Sequence, residues 1–120
     1  MTGLREVLGL DVVRLEADAA EVEMVADDRH LNEHGTVHGG AIATLVDTAM
    51  GSAVFREDTE DDAPVTIEMK VTYLEPARPG RLRATATVKR RGQRIIIAEV
   101  DVTDDEGTAV AHGIGTFTSV

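Results

Sequence analysis

A chain of 120 residues holds one hydrophobic core and has no room for separate cofactor and substrate domains. It has no Cys, which excludes disulfides, thiolate metal sites and a Cys nucleophile. Its net charge of −10 repels phosphate backbones, and Phe55, Tyr73 and Phe117 are too few aromatics for base stacking, so no nucleic-acid partner is expected.

The N-terminal stretch from Met1 to Glu6 lacks the basic segment and long apolar run of a secretory signal, and a short helix is expected from Leu4 to Leu8. A first strand is expected near Asp11 to Glu16, and a short one where Val22 and Met24 alternate with Glu21 and Glu23. The one long helix is expected from Gly40 to about Arg56, small or apolar on every face and therefore buried. Gly51 inside it costs about 1 kcal/mol relative to Ala, tolerable where a sheet or partner helix packs close. The weakly polar stretch Ala41 to Phe55 contains Asp47 and is short of the ~20 residues of a membrane span, so a soluble, cytoplasmic protein is expected. Glu57 to Asp62 is an acidic run that reads as a solvated loop.

Three alternating segments follow, each a half-buried strand: Val65 to Tyr73, Leu82 to Lys89 and Ile96 to Thr103. Turn residues separate them at Glu75 to Gly80, Arg91-Gly92 and Asp104 to Gly107. Thr108 to Ser119 is a last strand in which Gly113 and Gly115 allow close backbone approach. Two strands, a helix and four meandering strands predict an α+β single domain over residues 1–120, one antiparallel sheet curled around a central helix. The sheet's other face still needs cover, and an oligomer would supply it.

Between Gly35 and Phe55 the only formal charge is Asp47, with His38 the only other ionisable group. Burying an unpaired carboxylate costs several kcal/mol or forces its pKa up, so this placement suggests chemistry; the alternative is a carboxylate satisfied by a backbone or Arg partner. Gly39 and Gly40 lie where the helix begins, so their N–H groups lack intrahelical acceptors and suit an oxyanion, unless they merely make a tight turn. His30, His34 and His112 show no metal-site spacing and read as surface or loop residues; no metal is expected.

The pattern Asn32-x2-Gly35-x2-His38-Gly39-Gly40-x6-Asp47, followed by the segment from Pro64 to Ala77, resembles the PaaI-type branch of hotdog-fold thioesterases over residues 30–117. The resemblance implies hydrolysis of a CoA thioester, with no cofactor beyond the CoA of the substrate. It puts Asp47 at the catalytic acidic position, Gly39 at the oxyanion position and Asn32 and His38 beside the scissile bond, with Thr66 where a hydroxyl helps position the water. Similar enzymes are often tetramers built from two dimers.

Gly39 and Asp47 lie about 12 Å apart along one helix, too far to serve a single carbonyl, whereas two antiparallel copies about a twofold axis bring 39 of one to 47 of the other. The expected assembly is a homo-oligomer with two composite sites per dimer. Acidic residues number 22 against 12 basic ones, a balance that suggests adaptation to a salt-rich cytoplasm. From Pro76 to Ala98 there is no acidic residue, and Arg90, Arg91 and Arg94 at an expected hairpin tip are candidates for the CoA phosphates. A solvated strand edge would look the same. The competing functional class is a non-catalytic acyl-CoA-binding or regulatory module; a hotdog dehydratase lacks the closely spaced Asp/His pair its chemistry would use.

Overall fold

The structure, a computed structural model, describes residues 2–56 and 63–119. The acidic run from Glu57 to Asp62 lies outside them. In chain order the elements are α1 (Leu4–Leu8), β1 (Leu10–Glu16), β2 (Ala19–Ala26), a 3₁₀ turn (Asp28–His30), α2 (Gly39–Val54), β3 (Pro64–Tyr73), β4 (Gly80–Arg91), β5 (Ile96–Asp104) and β6 (Ala109–Ser119). The strands form one antiparallel sheet in the order β1-β2-β4-β5-β6-β3, and α2 packs across one face: the hotdog fold.

That order corrects the expectation of a simple four-strand meander. β3 does not pair with β4; the chain from Leu74 to Pro79 crosses the sheet, so β3 pairs with β6 at an edge. The reason is the interruption at Pro76 and Pro79, which lack the N–H a tight hairpin would donate.

The inner face is built mainly from small side chains. Ala20, Ala84, Ala86, Ala98 and Ala111 lie fully buried among Val22, Met24, Leu82, Val100 and Phe117. On β6 the two glycines let the helix come closer still: a Cβ at Gly113 would stand 2.7 Å from Val46 Cγ1, and one at Gly115 would stand 2.7 Å from Met50 Cε. Leu45, Val46, Ala49, Met50 and Ala53 of α2 fill this trough without exposure.

Within a single chain two surfaces stay open. The opposite side of α2, bearing Gly40, Thr44, Asp47, Thr48, Gly51 and Ser52, is at least partly exposed, so one chain alone does not bury the helix all round, and among the described residues nothing outside the helix's own neighbouring backbone comes within 4 Å of a Cβ at Gly51. The outer face of the sheet is a charged lattice rather than an apolar surface: Glu23 pairs with Arg83, Glu21 with Arg14 and Glu99 with Lys89. Opposite charges face each other there because alternation puts the polar half of each strand on the same side. Exposed apolar residues include Val65 40%, Ile67 51%, Tyr73 50% and Leu74 50% on β3 and the turn after it, with others on β1, β2 and β6 at Val13, Leu15, Val25 and Ile114.

Candidate active site

Asp47 sits in the middle of α2 on its half-open side, one turn from Thr44 and one from Gly51. Its Oδ1 accepts a 2.7 Å hydrogen bond from the hydroxyl of Thr66 on β3. A β-bulge makes that contact. Thr66 is opposite Phe117 and Glu68 is opposite Thr116, so Ile67 is the extra residue on β3. Without it, plain alternation would put Thr66 on the outer face, away from Met69 and Val71; with it, Thr66 joins the inner face and points at the helix. A bulge is a common way of re-aiming one side chain beside a functional group.

The start of α2 is held from several directions. Its N-cap is His38, at φ −59° and ψ 134°, whose Nδ1 accepts from Gly40 N at 2.8 Å. One of the two amides expected to be open is therefore occupied. Gly39 N–H has no acceptor among the described residues, as befits the first residue of a helix. The hydroxyl of Tyr73 donates to Gly39 O at 2.7 Å. His38 N donates to His30 O at 2.7 Å and Val37 N to Ala77 O at 2.8 Å, which fixes the approach to the helix.

Asn32 is engaged in the preceding loop. Its Oδ1 accepts from the backbone N–H of His34 (2.9 Å) and of Thr36 (3.2 Å), while Nδ2 donates to Thr36 Oγ1 (2.9 Å). The side chain shapes the turn in which Gly35 takes φ 82°. An open groove of about 550 Å³ runs beside the helix start, lined by Val37, Gly39, Gly40, Ile42 and the segment from Tyr73 to Ala77. Thus the fold gathers Asp47 with Thr66 at one point, and Gly39, Gly40 and His38 with Tyr73 at another, all on α2 and β3.

Residues 34–111 match the family model of the thioesterase superfamily. The chain belongs to that superfamily. Acyl-coenzyme A thioesterase 13 of Mus musculus is 37% identical over 110 residues, covering 87% of this chain and 77% of its own. A putative esterase of Halobacterium salinarum is 40% identical, covering 96% of this chain and 83% of its own. Among solved structures, the phenylacetic acid degradation protein PaaI of Thermus thermophilus superimposes with a TM-score of 0.88 at 30% identity, covering 97% of both chains. This protein is a thioester hydrolase of the PaaI-type hotdog branch.

In this thioesterase the basic segment is less free than its sequence suggests. Arg91, expected among the phosphate contacts, has partners within the chain: its Nη2 donates to Asp18 Oδ1 (2.8 Å) and to Val54 O (2.9 Å), tying the β4–β5 hairpin to the last turn of α2. Arg83 and Lys89 are bound in the outer-face lattice and Arg81 pairs with Glu23. Arg90 and Arg94 remain exposed at the hairpin, without a charged partner among the described residues.

Sequence reasoning missed two residues that hold the surroundings of the helix start. Tyr73 was counted as one more apolar position of a strand, although it is the only Tyr in the chain and lies at the strand's end, where a hydroxyl can reach a helix terminus. His30 was taken as a surface or loop residue and is 1% exposed. Its Nδ1 accepts from Asp27 N (2.9 Å), so Nε2 carries the proton and donates to Leu8 O (2.7 Å). It is a structural histidine beneath the loop that presents Gly39. His112, expected on a surface or loop, is at the surface, on β6, with Nδ1 2.9 Å from Asp101 Oδ1. Among the described residues no helix is long and apolar enough to cross a membrane.

Proposed function

We propose that this thioesterase hydrolyses acyl-CoA to the free acid and CoA, with Asp47 of one chain and Gly39 N–H of a second chain acting on the same carbonyl. The observation that carries this reading is the pairing of a carboxylate held by a hydroxyl on the open side of α2 with an unclaimed N–H at the start of that helix. An oxyanion donor must lie within about 3 Å of its oxygen and the base within similar reach of the water, but the eight residues between the two groups span about 12 Å. A twofold axis beside α2 removes the conflict, because antiparallel helices put position 39 of one copy near position 47 of the other. The half-open helix face and the edge strand β3, with Val65 and Ile67 exposed, are surfaces such a pairing would cover.

In the proposed reaction the thioester oxygen binds at Gly39 N–H. Thr66 occupies Asp47 Oδ1, leaving Oδ2 for catalysis. Asp47 either removes a proton from water as it adds to the carbonyl, or adds directly and forms a mixed anhydride that water opens. In both routes the tetrahedral oxyanion collapses, the C–S bond breaks and the CoA thiolate takes up a proton. Losing the oxyanion donor would cost about 2.7–4 kcal/mol of barrier. His38 spends Nδ1 on Gly40, so Nε2 carries its proton as an exposed donor at the same place. Asn32 supports the loop, and no cofactor enters. Arg90 and Arg94 would meet the nucleotide phosphates, since Arg91 ties their hairpin to the C-terminal end of α2, which in an antiparallel pair lies beside the partner's helix start.

Asp47→Asn should lower kcat by roughly 10²–10⁴ in a thiol-release assay over a panel of acyl-CoAs, with an unchanged circular dichroism spectrum. The composite site has its own test. Gly39→Pro deletes the N–H at a helix position where Pro is well accommodated, and His38 already has the extended ψ that a following Pro requires. Mixing Asp47→Asn with Gly39→Pro subunits should restore about a quarter of the sites at random pairing. No recovery in verified mixed dimers would place the whole site in one chain. Replacing Arg90 and Arg94 together should raise KM for acyl-CoA but not for a short pantetheine thioester.

A further inference from the structure

We infer that Tyr73 is a positioning residue for the oxyanion donor. The inference rests on the reading of Gly39 N–H as that donor. Two adjacent glycines open a helix whose first turn has the fewest internal hydrogen bonds, so left alone the Gly39–Gly40 peptide would sample many orientations. It is gripped at both ends. Its carbonyl, Gly39 O, accepts from Tyr73 Oη at 2.7 Å, and its N–H, Gly40 N, donates to His38 Nδ1 at 2.8 Å. His38 O accepts from Ala41 N at 2.9 Å, which fixes the peptide just before it. With both flanking peptide planes held, the direction of Gly39 N–H is set.

Tyr73 also acts by contact. A Cβ at position 39 would lie 3.3 Å from Tyr73 Oη, 3.4 Å from Cζ and 3.5 Å from Cε1, so the ring tip lies against the bare α-carbon and would have to give only slightly to a side chain there. The side chain reaches this point from the end of β3, on the same face as Thr66, because Tyr73 is opposite Ala111 and the bulge at Ile67 brings Thr66 into phase with it. One strand therefore steadies both groups on α2, the carboxylate through Thr66 and the amide through Tyr73. In the composite arrangement these belong to two different sites.

A small misplacement of a reacting group can cost as much as 10²-fold in rate, and removing an oxyanion donor costs about 10²–10³ in kcat. Tyr73→Phe keeps the ring against Gly39 and deletes only the hydroxyl. Its kcat should fall roughly tenfold, with KM within about twofold of wild type and the melting temperature within a few degrees. The decisive measurement repeats the substitution in the Gly39→Pro background, where no N–H remains to be aimed. There Tyr73→Phe should cause no further loss. A wild-type kcat for Tyr73→Phe, or a tenfold loss in both backgrounds, would overturn the inference and leave Tyr73 a packing residue. Gly39→Pro at the wild-type rate would instead remove the donor itself, and this inference with it; a strongly impaired Gly39→Pro beside an unimpaired Tyr73→Phe would refute only the role of Tyr73.

Discussion

The hydroxyl of Thr66 and the carboxylate of Asp47 come from different elements and meet at 2.7 Å on an exposed surface, where one solvent-screened hydrogen bond adds little to stability. Its effect is on geometry: it holds one carboxylate oxygen and leaves the other open, as the proposed reaction requires. Thr66→Val, nearly the same in shape, should lower kcat about tenfold while the melting temperature moves by less than a few degrees, which thiol-release kinetics and calorimetry would measure side by side. Asp47 was legible in the sequence because it is the only charge in a long weakly polar run. The direction of Thr66 was not: strand alternation has a period of two, and an extra residue at Ile67 breaks the count without leaving any compositional mark. Tyr73 was hidden for a related reason, since an apolar face and a hydroxyl aimed along it read alike in a pattern of hydrophobic positions.

At the scale of elements, α2 lies across the whole sheet, comes close to β6 at Gly113 and Gly115, and has its far end held by a turn. Asp18 sits between β1 and β2 at φ 63°, and its Oδ1 accepts from Arg91 (2.8 Å) and Arg56 (2.9 Å), while Arg91 also reaches Val54 O at the end of α2. The hydrogen bond from Arg91, with help from Arg56, holds the Asp18 carboxyl below the usual carboxylate range. A depressed folded-state pKa means stabilisation that is complete above the unfolded value, about pH 4, and is lost as pH falls through the lower folded value. Asn also tolerates a left-handed backbone, so Asp18→Asn removes the charge and keeps the turn. Its melting temperature should lie below wild type at pH 7, and the gap should close below about pH 4 in a series of thermal scans. Most element boundaries could be read from periodicity and turn residues, and Gly113 and Gly115 carried their meaning openly. The placement of β3 beside β6 could not be read, because alternation identifies a strand without naming its neighbour. The role of Arg91 was hidden likewise, since Asp18 and Val54 are distant in the chain and adjacent only in the fold.

For the molecule as a whole the charges divide into two populations. The outer face of the sheet interleaves Glu21, Glu23 and Glu99 with Arg14, Arg83 and Lys89, so there the apparent basic cluster of the sequence is already neutralised. The excess of acids lies elsewhere, and the net charge of −10 remains. Salt weakens the paired lattice and relieves the unpaired excess, two effects of opposite sign. With exposed pairs worth only about 0–1 kcal/mol each, the relief should win, and the melting temperature should rise from dilute buffer to 1 M KCl; a flat or falling series would remove salt adaptation as an explanation of the composition. The fold class and the oligomeric expectation follow from small size and leftover apolar surface, whereas the surface that is left over became visible only once β3 was found at the edge. That location carries a thermodynamic consequence. The strand that hands Asp47 its hydroxyl has one row of backbone hydrogen-bonding groups unclaimed by the sheet, so any copy of the chain that docks there changes the surroundings of the carboxylate in the same event. On the proposed composite site, mass action would reach the chemistry directly, and turnover per chain would become a function of how many chains share the solution.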